Sequence, residues 1–517
     1  MSVATEREQA AAIPLLNRVD IHRLEATRGV ERTRRSELGQ FLTPPAIASF
    51  MASLFGPFHG QARVLDAGAG VGTLLAAFAA EACSRQVRPA TVRATAIDVD
   101  PRLGAYLRRT IRECEDECSA AGVELTAEII EADFIEAAVG QLDSGLFRPA
   151  RPLSFTHAIL NPPYKKLRSD SAARVALRRV GIETSNLYTA FLGLALLLLE
   201  PGGELVAITP RSFCNGPYFR PFRELFLREM SLRRVHVFES RKAAFAEDDV
   251  LQENVILHAV KGAPPGPVTI SSSAGPDEEL LTERSVPFHD VVRPGDAESF
   301  IHIVPDDSGE RVAGTFARLP SRLEDLGLSV STGKVVDFRA RPYLRQEPDE
   351  TTAPLIYPTH FASGLVRWPK PGKKPNGLVL APETADLWMP AGTYVLVKRF
   401  SAKEERRRIV AALFDPGLVP GDRIGFENHI NVFHRGGKGL DATVARGLAA
   451  FLSSTLVDAY FRQYSGHTQV NATDLRGLRY PSLQALEKLG RRVLVPDLAQ
   501  EDLDSVVDEV LELSAKP

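Results

Sequence analysis

Between residues 63 and 259 short apolar runs alternate with helix-length stretches, and this alternation constrains the fold more than any other feature. Arg63–Asp66, Arg93–Ile97, Leu125–Glu131, His157–Leu160, Glu204–Ile208, Arg234–Phe238 and Val255–Ala259 read as strands. Leu74–Ala82, Leu103–Glu117 and Leu187–Leu199 read as helices, the last stopped by Pro201-Gly202-Gly203. Strands that alternate with helices predict an α/β fold with a doubly wound, mainly parallel sheet. Ligands of such sheets sit beyond the carboxyl ends of the strands. Residues 1–35 are charged and helix-prone, with no apolar core of their own, and are expected to form a helical extension. The pattern changes at Gly262–Pro267 and again at Ser271–Glu279, which places a domain boundary near residue 300. The expected organisation is 1–35, 36–300 and 301–517, the last a mixed α+β domain with helical patterns at Ala402–Leu413 and Thr443–Tyr464.

Hydrophobic residues make up 44% of the 517 and charged residues 25%, ordinary values for a globular protein. The formal net charge is −3, so any polyanion must bind a local surface. Residues 331–480 hold 21 Lys and Arg against 14 Asp and Glu, a footprint of that kind. The four cysteines (Cys83, Cys114, Cys118, Cys214) match neither a disulfide framework nor zinc-site spacing, so no metal is expected. No basic-then-apolar leader and no charge-free run of 18 apolar residues appears. The expectation is a reducing, cytoplasmic setting without a membrane partner.

The fourth strand runs straight into Asn161-Pro162-Pro163-Tyr164. Two prolines remove two backbone donors and fix φ near −65°. Each also pushes its predecessor out of the helical region. A stiff corner results at a strand's carboxyl end. It offers an amide oxygen, a free carbonyl and an aromatic face, which suit a planar molecule bearing an NH2 group.

The first strand ends in Asp66-Ala67-Gly68-Ala69-Gly70-Val71-Gly72-Thr73. Gly68, Gly70 and Gly72 allow a tight turn and close approach of a ligand. Thr73 stands where a dinucleotide fingerprint has its third glycine, and the Lys-Ser/Thr of a phosphate loop is missing. Asp66, Asp98 and Asp133 follow three successive strands. Each alone is more often a helix cap or a solvated turn residue. Together, after a glycine turn, they fit one adenosine-containing ligand. Asp66 would face an ammonium, Asp98 two ribose hydroxyls, and Asp133 an adenine amino group with Phe134 beside the ring. S-adenosylmethionine has those parts.

Residues 36–260 resemble the class I S-adenosylmethionine-dependent methyltransferases, and within them the gamma group of DNA adenine-N6 methyltransferases from restriction–modification systems. The order of Gln40-Phe41-Leu42-Thr43-Pro44-Pro45, then Asp66–Gly72, then Asn161–Tyr164 carries the resemblance, with Asn186-Leu187-Tyr188 and Ile208-Thr209-Pro210. Residues 301–517 resemble the target-recognition regions of the same enzymes more loosely. The resemblance implies that Thr43, Asp66, Gly68 and Gly70 hold the amino-acid end of the cofactor. Asp98 would hold its ribose, and Asp133 with Phe134 its adenine. Asn161, Pro162 and Tyr164 would hold the target base, with Phe245 on its other face. It also implies double-stranded DNA as substrate, a flipped base, and a cognate restriction endonuclease acting on the same site.

In that chemistry acceptors at Asn161 and Pro162 localise the lone pair of a poorly nucleophilic amine, and no covalent nucleophile is needed. An intrahelical base must leave the stack to reach the corner. The rival substrates are a protein glutamine amide or RNA, since related motifs serve both. Thr43-Pro44-Pro45 upstream of the glycine turn and more than 200 residues after the catalytic half favour DNA. A catalytically silent DNA-binding module would not need the intact motifs, and no fused nuclease is expected, since fewer than 40 residues precede the first methyltransferase motif. Thr43 is expected to cap the helix that follows it, with Pro44 in the first turn. In the second half Lys334, Arg339, Arg341, Arg345, Arg367, Lys370, Lys373, Lys374, Lys398, Arg399, Lys403 and Arg406–Arg408 would meet phosphates. The last three, read as helical, could equally form a solvated helix face. Gln463, His467, Gln469 and Asn471 could read base edges or serve as turn and cap residues.

Overall fold

A computed structural model describes residues 14–29, 42–143, 153–238, 253–275, 280–303, 307–401, 405–464, 469–494 and 498–511. The chain divides into two compact units, Met1–Pro305 and Asp306–Pro517. The first runs α1 (Leu15–Gly29), α2 (Pro45–Ser53), β1 (Gln61–Ala67), α3 (Thr73–Ser84), β2 (Thr91–Asp98), α4 (Gly104–Ala120) and β3 (Glu124–Glu131). It continues with α5 (Phe134–Leu142), β4 (Phe155–Leu160), α6 (Ala172–Arg179), α7 (Leu187–Leu198) and β5 (Leu199–Pro210). The last elements are α8 (Arg220–Glu229), β6 (Met230–Phe238), β7 (Asn254–Lys261), β8 (Val268–Ser273) and β9 (Leu280–Val286).

The nine strands form one sheet in the order β3-β2-β1-β4-β5-β7-β6-β8-β9. β3, β2, β1, β4 and β5 pair in parallel, and β7 runs antiparallel to both neighbours. Central strands are buried on both faces, so they read as continuous apolar runs rather than as alternation. One face carries α5–α8 and the other α1–α4, each over its own apolar core. Helix α7 buries ten of its twelve residues. Each fully buried leucine there stabilises the unit by roughly 1.5–3 kcal/mol.

Five expectations are corrected. Residues 15–29 lend Leu15 and Val19 to the core under α3 and α4, because the helix turns those positions inward. Helix α7 ends at Leu198, before Pro201, and Leu199 already pairs with Phe155 as β5. The Gly/Pro stretch 262–267 is a turn inside the sheet rather than an approach to a boundary, since β8 pairs with β6 immediately after it. The serines of β8 look like linker, but they are buried and satisfied. Ser271 and Ser273 lie 3.0 and 3.1 Å from the two ring nitrogens of His236. Thr43 caps nothing: the N-cap of α2 is Pro44, with Pro45 in the first turn.

The second unit contains a six-stranded and a five-stranded sheet with helices at Ala442–Leu452, Thr455–Tyr464, Leu483–Arg492 and Gln500–Val510. The 442–452 and 483–492 helices touch backbone to backbone at Gly447 and Gly490. A Cβ on Gly447 would lie 1.8 Å from the Leu486 carbonyl oxygen. The helix expected at 402–413 is a strand, Ala411–Phe414, preceded by irregular chain. Its apolar residues pair with Tyr394–Lys398 instead of facing one helix side. Among the described residues no helix is long and apolar enough to cross a membrane.

Candidate active site

The carboxyl ends of β1, β2, β3 and β4 converge on a cleft of about 240 Å3. Gly68, Gly70, Asp98, Asp133, Phe134 and Asn161 all line it. Four segments far apart in sequence thus supply one wall each, as a doubly wound sheet requires.

After β1 the chain turns through Gly68, Gly70 and Gly72, all at positive φ. At Gly70 (φ +57°) a side chain would be strained, and its Cβ would lie 2.9 Å from Leu42. The turn is pinned to the end of β2. The Gly68 N–H donates to the Ile97 carbonyl at 2.8 Å and the Gly70 N–H to Asp98 Oδ2 at 2.8 Å. Asp98 Oδ1 accepts from the Asp100 N–H at 2.8 Å. Burial pushes the Asp98 carboxyl up, and the two amides partly hold it down.

Asp66 is 1% exposed and does not line the cleft directly. Both of its oxygens lack a partner in hydrogen-bonding geometry among the described residues. Burial first, and the neighbouring Asp98 charge second, push its pKa up to about 8, against a slight pull from the Leu75 amide. A buried acid with no donor in hydrogen-bonding geometry among the described residues, beside a cleft, fits a cationic or water-carrying ligand.

Asp133 is in fact a helix cap. Its Oδ1 accepts from the Ile135 and Glu136 amides at 2.7 and 3.2 Å. It lines the cleft as well, so the two readings of this residue are compatible. Phe134 packs its ring 4.9 Å from Phe191, a residue of α7 that also lines the cleft. Sequence reasoning missed Phe191, whose place on an all-apolar helix gives no sign that one turn lines a cleft.

Asn161 leaves β4 at the rim. Its Nδ2 donates to Thr43 Oγ1 at 3.0 Å, and its Oδ1 accepts from the Tyr164 hydroxyl at 3.3 Å. The amide is therefore held with its oxygen turned away from Thr43. Tyr164 also approaches the Ile208 carbonyl at 3.5 Å and packs edge-on to Tyr188 at 6.2 Å. Pro162 is buried and Pro163 lines the cleft. Thr43 is 5% exposed, with its hydroxyl directed to Asn161, a contact no spacing rule could reveal. Phe245, Gln40 and Phe41 lie outside the described residues.

In the second unit a basic loop is organised around buried Asn376. Its Oδ1 accepts from the Lys370 N–H at 2.9 Å, its Nδ2 donates to the Gln346 and Lys370 carbonyls, and its own carbonyl accepts from Trp368 Nε1 at 2.8 Å. Arg367, Lys370 and Lys373 are exposed on that loop. The Arg406–Arg408 run is not a solvated helix face: it is irregular, and Arg408 is buried against the Phe461 ring. Asn471 sits at the N-cap of Ala472–Arg476, Gln469 pairs with Phe400, and His467 and Lys403 lie outside the described residues.

The strand order with β7 reversed between β5 and β6, the glycine turn after β1 and the acids of the cleft define a class I S-adenosylmethionine-dependent methyltransferase. A family model described as Eco57I restriction-modification methylase matches residues 113–245. The chain is 44% identical over 511 residues to Type II methyltransferase M.PstI of Providencia stuartii, covering 98% of this chain and 100% of that protein. It is 45% identical over 482 residues to Type II methyltransferase M.BsuBI of Bacillus subtilis, covering 92% and 94%. It also shares its fold with the Type IIL restriction-modification enzyme MmeI solved in complex with DNA, with a TM-score of 0.52 at 11% identity over 100% of this chain and 76% of that one. The chain belongs to the Type II DNA methyltransferases of restriction–modification systems, and its methyl donor is S-adenosylmethionine.

Proposed function

We propose that this chain methylates the N6 amine of an adenine extruded from duplex DNA, at a defined site, as the protective partner of a restriction endonuclease that cuts there. The carrying observation is Asn161: its amide is fixed by Thr43 and Tyr164 on the rim of the cleft that Gly68, Gly70 and Asp98 line. The donor supplies an electrophilic methyl on a sulfonium. The chain's own part is to orient and to accept. Asp66, Gly68 and Gly70 hold the donor's amino-acid end, with Thr43 placed close by through Asn161. Asp98 holds its ribose hydroxyls. Asp133, through the oxygen not used for capping, and Phe134 hold its adenine.

On the other side Asn161 Oδ1 and the Pro162 carbonyl accept the two hydrogens of the target amine. That localises its lone pair and offsets the positive charge that develops on nitrogen. Fixed alignment of the amine supplies much of the rest. Tyr164 stacks on one face of the base, worth roughly 1–3 kcal/mol, and Phe245 is assigned the other. These contacts offset an extrusion cost of a few kcal/mol. The second unit serves as the target-recognition domain, with Arg367, Lys370 and Lys373 on phosphates, and the protein works in the cytoplasm.

The test is transfer from labelled donor to duplex DNA, with the product nucleoside identified. N6-methyladenine is expected. N4-methylcytosine would overturn the choice of base, and label on RNA or on protein glutamine would overturn the choice of DNA. Full-length identity to Type II methyltransferases already disfavours those last two.

A further inference from the structure

Asn254 is the first residue of β7, 3% exposed, and both polar atoms of its amide lack a hydrogen-bond partner among the described residues. A buried amide left wholly unsatisfied is rare and calls for a cause. Its position supplies one. The ladder sets Asn254 opposite Pro210, the last residue of β5, and β5 lies next to β4, which leads into Asn161. Asn254 thus stands at the carboxyl edge two strands from Asn161 and two residues further along, since Asn161 continues level with Ile208; strand spacing and rise together give about 12 Å. That span is about one purine plus a hydrogen bond.

The two amides also share a sheet face. Ile159 and Ile256 both enter the core under α1–α4, and side chains alternate along a strand, so Asn161 and Asn254 follow on the same side. The Thr43 contact, made at the start of α2, agrees for Asn161. Tyr164 reaches from the corner to the Ile208 carbonyl, over the intervening strand. The start of β7 is also held fast. The Arg211 N–H donates to the Glu253 carbonyl at 2.7 Å, and the Arg211 guanidinium meets the Glu253 carboxylate at 2.7 Å, both side chains nearly sealed from solvent.

We propose that Asn254 is a base-reading residue, whose Nδ2 donates to a ring nitrogen of the extruded adenine while Asn161 holds its amine. The inference rests on the adenine reading above. An amine gripped at one point tells little between purine and pyrimidine, whereas a second donor at purine length selects the longer base.

The experiment measures kcat/KM for the full chain on duplexes whose target adenine is replaced by 1-deaza-, 3-deaza- or 7-deazaadenine. Wild type is expected to lose about tenfold on one of the three, as for a lost hydrogen bond in a closed site. In Asn254→Ala that loss should shrink below about twofold, with the other two analogues costing both proteins equally. Donor affinity, measured by titration, should be the same in both. If Asn254→Ala fails to bind donor, Asn254→Asp keeps the shape and removes the Nδ2 donor, and the same pattern is expected of it. Equal penalties in wild type and variant on all three analogues would overturn the role. The adenine reading is tested first and separately, by the product that wild type forms on unmodified DNA. A cytosine product would overturn both.

Discussion

Asp66 makes the stability of the donor-free protein depend on pH in an unusual direction. Its pKa rises from an ordinary 3.8 to about 8 in the fold, because burial and Asp98 disfavour the charged form. The unfolded chain therefore loses this proton first as pH rises. Stability from this group is fully present below pH 4, declines through the range between, and is lost above pH 8. At about 1.4 kcal/mol per unit the ceiling is roughly 6 kcal/mol. Asp66→Asn keeps the shape and removes the titration. Urea unfolding of both proteins from pH 5 to 9, without donor, should give curves that diverge by several kcal/mol, with wild type the steeper. Asp98→Asn removes the like charge and should move the Asp66 transition to lower pH. If the donor's ammonium docks at Asp66, saturating S-adenosylmethionine should flatten the wild-type curve, since a nearby cation favours the ionised form. Parallel curves for wild type and Asp66→Asn would refute the account of the buried acid.

Three other outcomes are expected. Asn161→Ala should retain donor binding by titration and lose transfer by at least about tenfold in single turnover, as expected if the lost contact acts on the reacting amine. Asp133→Ala should cost about 1 kcal/mol in urea unfolding through the lost cap of α5, and should weaken donor binding as well; intact affinity would leave the residue a cap alone. Leu194→Ala, in the sealed middle of α7, should destabilise the first unit by about 2–5 kcal/mol in the same assay.

Most of the nucleotide-binding frame was legible because burial on both faces makes a parallel strand an unbroken apolar word. The runs at 63–66, 93–97 and 157–160 lie inside β1, β2 and β4, and Gly68, Gly70, Asp98 and Asn161, which follow them, meet in one cleft. Two kinds of feature escaped. β8 is buried yet rich in serines, since His236 of β6 satisfies Ser271 and Ser273 and Thr282 of β9 satisfies Ser272, and hydropathy cannot see a partner. Contacts across the fold escaped as well. Thr43 and Asn161 are 118 positions apart, and the cap read from local spacing concerned only the neighbourhood of Thr43. In the second unit strands of two to five residues are too short to show a period. Arg408 reads as solvated although the chain folds it under Phe461.

The Thr43–Asn161 contact ties a segment preceding the whole sheet to the corner that follows its fourth strand. The same segment also helps to wall the cleft, since Leu42 lines it beside Gly68 and Gly70. Proteolytic trimming at the amino-terminal side of α2 would thus strike two capacities at once, uptake of the donor and the setting of the Asn161 amide. Peptide supplied in trans should restore both together or neither.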